Sequence, residues 1–221
     1  MIALLLALDW SEILQALGDT VYMVAVSTIL SGVIGIPCGI LLFAAKNKKL
    51  LNSPHIYYII SSIVNILRAI PFIILLVLMM PVTNIIVGTT IGAIGVIPPL
   101  VIGAFPFVAK LVESSLNDLP EGIIDMAIAS GATTWQIIWH VLLLEVRSSI
   151  VRSLTVTGVT LVAFSAMAGA VGGGGLGDLA IRYGYQRFDT TVMLVTVVII
   201  ILVVAVIQLV GDAIAKKLSF K

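Results

Sequence analysis

The sequence predicts an all-α polytopic membrane protein, five transmembrane helices carrying one helix-turn-helix outside the bilayer. Three observations lead there. Hydrophobic residues are 60% of the 221 and charged residues only 10%, and a mean hydropathy of +1.21 lies far outside the range of soluble domains. Charges are missing from whole stretches, notably 20–45 and 69–109. One stretch, 118–145, is both polar and regularly patterned, and no soluble domain, low-complexity tail or internal repeat accompanies it.

At about 1.5 Å per residue, the uncharged stretch 20–45 exceeds a hydrocarbon core of about 30 Å, so it is the first span. Gly32, Gly35, Pro37 and Gly39 within it require closely packed neighbours. A short surface helix is expected before it, over 9–16. The N-terminal MIALLLALDW has neither a basic n-region nor a small-residue cleavage site and is not read as a signal peptide.

Lys46, Lys48 and Lys49 follow the first span, with Asn52-Ser53-Pro54 as a turn. The second span is expected over 56–80. The uncharged run 69–109 is too long for one crossing, so a break at Pro81 to Asn84 is expected to divide it and open the third span, 88–109, closed by Lys110. The fourth span is placed at 154–171, a glycine-loosened segment from Gly172 to Gly177 follows, and the fifth span is placed at 191–210. The whole is one transmembrane domain, 1–221.

The segment 118–145 reads as two short helices. Asp118 and Glu121 have the spacing of a capping box and Pro120 suits a first turn. Ile123, Ile124, Ala127 and Ile128 share one face, Glu121 and Asp125 another, and Ser130-Gly131 supplies the stop. Thr133 with Gln136 repeats the capping spacing, and Trp135, Ile138, Trp139 and Leu142 fall at i, i+3, i+4 and i+7.

Five crossings put the termini on opposite sides. Lys46, Lys48, Lys49, Lys110, Arg147, Arg152, Lys216, Lys217 and Lys221 then share one side, against Arg182 and Arg187 on the other. The positive-inside rule places the N-terminus outside, with the hairpin and the C-terminus in the cytoplasm.

No catalytic constellation is present. A phosphate-binding G-x-x-x-x-G-K-[ST] is missing, and the glycines from Gly172 to Gly177 lack its lysine, so the chain is not itself an ATPase. His55 and His140 have no Cys or Glu at ligand spacing, and neither a metal nor another cofactor is expected. Cys38 is the only cysteine, which excludes an internal disulfide. A net charge of +1 says nothing of nucleic acid, and no such partner is expected.

Arg68 is the most expensive residue if it lies at mid-membrane, at about 2.5–3.5 kcal/mol on insertion scales. It either serves an interior polar network or the pathway, with Asn65 and the carbonyl freed by Pro71 nearby, or snorkels to the surface. Five helices enclose little, so a pathway is expected between two copies of the chain about a two-fold axis. Ser165, Met167 and Gly169 are candidates for its lining near the outer end; helix packing accounts for the same residue types.

The hairpin resembles the cytoplasmic EAA loop of ABC importer permeases, whose pattern is E-A-A-x3-G-x9-I-x-L-P. Asp125-Met126-Ala127 occupies the first triplet, Gly131 follows at the right spacing, and Val141 and Leu143 fall at the next two positions; Asp125, Met126 and Leu144 depart from the pattern. With NILRAIPFIILLVLMMP, TNIIVGTTIG, GAVGGGGLGDLAIRYGYQ and DTTVM, the chain resembles the permease subunits of bacterial D- and L-methionine importers from about Val21 to Lys217.

That resemblance implies alternating access in a bacterial cytoplasmic membrane, two copies paired with two ATPase subunits, and an extracytoplasmic binding protein delivering the substrate. Coupling to the ATPase would run through Asp125, Ala127, Ala129, Ser130, Gly131 and Ala132. A permease for another solute is the nearest alternative. An ion-gradient-driven transporter is expected to carry acids inside its spans, and the five stretches above contain none.

Overall fold

The computed structural model describes residues 9–219; the N-terminal segment read against a signal peptide, and Lys221, lie outside the described residues. Asp9 starts the first helix by accepting the Ser11 and Glu12 amides on Oδ1 at 3.0 and 3.4 Å. Helix α1 then runs unbroken over Trp10–Lys46. The separate surface helix expected over 9–16 is thus the first part of the first span, because Gly18 and Asp19 weaken a helix without ending it.

After the lysine loop come α2, Pro54–Ala69, and α3, Phe72–Val87, bent by 110° at the break between them. Each has 16 residues, about 24 Å, short of the roughly 30 Å needed to cross alone. Together they make either one broken span or a re-entrant loop. The break lies at Ile70-Pro71 and not at Pro81 to Asn84. Pro71 disfavours helical backbone in the residue before it, and Ile70 is extended at φ −78°, ψ 124°. Pro81 is accommodated inside α3, where Thr83, expected in an exposed turn, is buried. The chain instead turns at Gly88, left-handed at φ 76°.

Helix α4, Gly92–Asn117, passes Lys110 and continues beyond the expected end of the third span. Beyond that end it carries a buried acid, Glu113, only 5% exposed. Two short helices follow, α5 (Glu121–Ala129) and α6 (134–145), the latter π-helical over Ile137–Leu142. Helix α7 spans Arg147–Gly169, α8 (175–185) has a π-helical second half, and α9 spans Thr190–Leu218, both spans longer than the hydropathy estimate. No strand occurs among the described residues. Four helices, α1, α4, α7 and α9, are long and apolar enough to cross a membrane, and the α2–α3 pair supplies a fifth if counted as one crossing.

Close packing of α1 on α4 uses Gly35 and Gly39, a small-xxx-small pair. A methyl group at Gly35 would lie 2.7 Å from Val108 Cβ, and one at Gly39 would lie 2.8 Å from Val112 Cβ. The central core joins Met23 and Val24 of α1, Phe72 and Leu76 of α3, Leu100 and Ala104 of α4, and Leu161 and Val162 of α7.

The glycine segment is a tight turn where a loosened backbone was expected. Gly172, Gly174 and Gly175 have φ between 74° and 85°, and Gly169 and Gly177 bring α7 and α8 so close that a side chain at either would strike the other's backbone. At this end Arg182 bridges Asp178 at 2.9 Å and Glu12 of α1 at 3.0 Å. At the opposite end Arg147 donates from Nε to the Leu218 carbonyl at 2.8 Å, and Ser148 Oγ to that of Ala215 at 2.9 Å. Apart from Arg68, Lys110 and Arg152, the described basic residues thus separate by end. Lys46 to Lys49, Arg147, Lys216 and Lys217 lie at the hairpin end, Arg182 and Arg187 at the other.

Candidate functional site

The hairpin is set on the end of α4 by a shared apolar core. Val108, Val112 and Leu116 of α4 pack with Phe43 of α1, Ile124 of α5, Ile137 and Leu142 of α6, and Val146 at the start of α7. A push on the hairpin therefore acts on α4 and α7 through close-packed side chains, which transmit strain with little give.

Asp118 does not cap α5. Helix α4 continues to Asn117, leaving Asp118 as its C-cap with helical backbone at φ −77°, ψ −9°, whereas an N-cap needs extended geometry. Pro120 takes the N-cap place with no side-chain bond. The far end of α5 follows expectation. Gly131 is left-handed at φ +78°, its amide donates to Ile128 O at 2.9 Å, and the Ala132 amide donates to Ala127 O at 3.1 Å, the paired bonds of a Schellman stop. Thr133 and Gln136 form the predicted reciprocal box, with Thr133 N–H donating to Gln136 Oε1 at 2.8 Å and Gln136 N–H to Thr133 Oγ1 at 3.4 Å.

The second helix turns a different face inward from the one its α-spacing predicts. In a π-turn residues five apart align, so Ile137 and Leu142 are buried together. Trp135 and Trp139 stand outward, 67% and 48% exposed, with rings 5.3 Å apart. On α5 only Ile124 is fully buried and Ile128 faces out.

Of the candidate coupling residues, Ala127 and Ala132 pack inward against the shared core, while Ala129, Ser130 and Gly131 are exposed. Nothing lies within 4 Å of a Cβ placed on Gly131, so the bend is open to close approach. Asp125 already has a cation within the chain. Lys49 Nζ lies 2.6 Å from its Oδ1 and 3.9 Å from Glu121 Oε2. The hydrogen bond to Asp125 holds the Lys49 ammonium above its usual pKa, with smaller support from the two negative charges. Sequence reasoning missed Lys49 as the anchor of α5, since the partners are 76 positions apart. It also treated Met126 only as a departure, although this side chain is 66% exposed beside Ala129.

The pathway candidates do not form one group. Ser165 is buried and donates to Val162 O at 2.8 Å, Gly169 is the contact with α8, and Met167 is half exposed on the protomer surface. Arg68 lies elsewhere, in a cleft of about 220 Å³ with Phe72, Gly103, Phe107, Thr157, Thr160 and Phe164. These neighbours sit halfway along α4 and α7, and Arg68 itself is exposed on the single protomer. Asn65 is not its partner, donating to Ser61 Oγ at 3.4 Å. Among the described residues, no group of three or more His, Cys, Asp and Glu could hold a metal.

Comparison with known proteins agrees with this architecture. Residues 35–221 match the family model "Binding-protein-dependent transport system inner membrane component". The chain is 47% identical over 215 residues to the probable D-methionine transport system permease protein MetI of Vibrio cholerae, covering 97% of this chain and 96% of that one. It is 40% identical over 206 residues to the methionine import system permease protein MetP of Bacillus subtilis, covering 93% of each. A solved chain from the MetNI methionine ABC transporter, in an inward-facing conformation, superposes with a TM-score of 0.93 at 42% identity, over 96% of this chain and 98% of that chain. With the hairpin standing on a bundle of membrane-crossing helices, these matches establish that the chain belongs to the binding-protein-dependent transport system inner membrane component family, as a multi-pass permease subunit of an ABC transporter.

Proposed function

We propose that the chain forms, as a pair, the translocation pathway of an ATP-driven methionine importer. The observation that carries this is the shared core of α4, α5, α6 and α7, which makes the hairpin a lever continuous with two membrane helices. Two ATPase subunits would seat on the exposed bend at Ala129, Ser130 and Gly131, with Met126 beside it. Asp125 positions that surface through Lys49, and Ala127 and Ala132 fix it to the core. Closure of the ATPases would then swing α4 and α7 between two arrangements.

The charge separation supports a cytoplasmic hairpin and C-terminus, with the N-terminus and the 170–189 segment outside. An extracytoplasmic binding protein would deliver methionine to that outer end, where Ser165 and Gly169 shape the packing and Met167 lines the pathway between the two copies. Arg68 lines it as well.

An ion-gradient-driven carrier is the competing class, and among the described residues Glu113 is the one buried acid that it could use. Its carboxylate is held 2.8 Å from Lys110, whereas a proton carrier needs a carboxylate free to change charge. Uptake of labelled methionine into vesicles holding the permease, its ATPase and the binding protein decides between them. ATP-dependent uptake unaffected by an uncoupler is expected; uptake that needs the ion gradient and no ATP overturns the proposal.

A further inference from the structure

The cleft at the break between α2 and α3 has the make-up of a site for a small zwitterion with an apolar tail. Arg68 ends α2 and lines the cleft, with no hydrogen bond or ion pair among the described residues. Arg68 is exposed on the single protomer, and an arginine within a membrane-crossing bundle ordinarily pairs or marks a solute path. Its planar donor fork matches a carboxylate.

The remaining lining completes the specification. Phe72 and Phe164 stack with centroids 4.4 Å apart and planes 4° from parallel, giving a flat apolar wall that Leu75 extends. Such a wall suits a thioether, since sulfur contacts aromatic rings favourably. Thr160 spends its hydroxyl proton on the Val156 carbonyl at 2.9 Å and so presents only lone pairs to a further partner, while the fully buried Thr157 bonds the Ser153 carbonyl at 2.7 Å. The break adds to this, because α2 ends in free carbonyls where α3 begins with free amides. A cleft of about 220 Å³ is below the roughly 300–1,000 Å³ that drug-sized ligands occupy, which fits one small solute.

The geometry points to a transit site for the cargo amino acid inside the permease: its carboxylate on Arg68, its ammonium on the Thr160 oxygen and the end of α2, and its side chain against Phe72 and Phe164. This rests on the reading of the chain as a methionine import permease. It adds a binding step within the membrane, separate from capture by the delivery protein, and makes the permease itself selective for a free carboxylate and an apolar tail.

The test uses the assembled permease and ATPase in lipid nanodiscs, irradiated with a diazirine analogue of methionine and mapped by mass spectrometry. Labelling is expected on peptides spanning 67–75 and 157–164, suppressed by excess methionine but not by its decarboxylated amine. Arg68→Gln should lower it about tenfold or more, the loss of a charge-assisted carboxylate contact. Phe164→Ala should also lower it in complex whose assembly with the ATPase is verified by co-elution, which covers the case in which the arginine variant fails to assemble. Wild-type complex that imports methionine under ATP yet labels neither peptide overturns the site and leaves the transport reading standing. Complex that hydrolyses ATP with its delivery protein but imports no methionine refutes the substrate reading, and the site with it.

Discussion

Lys110 Nζ lies 2.8 Å from Glu113 Oε2 one turn along α4, and 3.5 Å from Ser61 Oγ of α2. The pair is mostly buried, with side-chain exposures of 23% and 7%. It ties the hairpin end of α4 to the helix that ends in Arg68. Removing one partner of a buried pair strands a charge and costs about 3–5 kcal/mol, whereas replacing both with apolar residues is often neutral. Lys110→Met is therefore expected to lower thermal stability in detergent sharply, and Lys110→Met with Glu113→Leu to restore most of it. Equal losses in the single and double variants would show that the pair does not stabilise the fold in this way.

Thr20 makes a second long-range tie. Its hydroxyl accepts the Leu176 amide at 2.8 Å and donates to Ala16 O at 3.0 Å, fixing the glycine turn against α1. Thr20→Val leaves that buried amide without a partner, at a cost of about 1–3 kcal/mol. Thr20→Ser keeps the bond. Thermal unfolding should separate the two variants in that order, and indistinguishable midpoints would remove the bond from the account.

The Lys49–Asp125 contact sets position more than stability, because both side chains are about half exposed and such pairs contribute little. Lys49→Glu should raise the ATP spent per methionine imported, and Lys49→Asp with Asp125→Lys should recover it. The pH dependence follows from the sign of the shift. The ammonium is raised above 10.5, so the contact is fully present below that value and is lost only as pH rises through the raised one. Spin labels at 48 and 129 should keep one distance between about pH 6 and pH 9. A distance that widens across that range would show that another group holds α5 in place.

Gly131 is constrained by its backbone, since φ +78° disfavours any residue with a Cβ. Gly131→Ala should destabilise the hairpin by about 1–2 kcal/mol, read as faster amide exchange over 121–132, while Gly131→Asn should cost less because Asn tolerates that region. Equal exchange in all three proteins would mean that the stop does not depend on this glycine.

How much of this was legible in the sequence depends on whether the signal was local. The Gly131 stop and the Thr133–Gln136 box involve residues within five positions, and both formed as read. The helix boundaries at Asp118, Pro81 and Lys110 were misplaced because a proline or a charge was treated as a terminator, whereas packing carried the helices through. Pro71, whose neighbour Ile70 is extended, was the true break. The π-turn at 137–142 shifted the inward face of α6, an effect invisible to a spacing of 3.6. The Lys49–Asp125 contact and the gathering of Thr157, Thr160 and Phe164 around Arg68 join distant segments, and no local pattern announces them.

The central claim is that force from ATP enters through the exposed bend of the hairpin. Ala129 tests it better than Gly131, being exposed and helical with no backbone constraint of its own. The deciding measurement is methionine imported per ATP hydrolysed by reconstituted importer carrying Ala129→Trp. The account predicts a correctly inserted, paired permease whose uptake falls by about tenfold or more, since a tenfold change needs only about 1.4 kcal/mol of lost coupling. Uptake per ATP equal to that of the unaltered importer would contradict it.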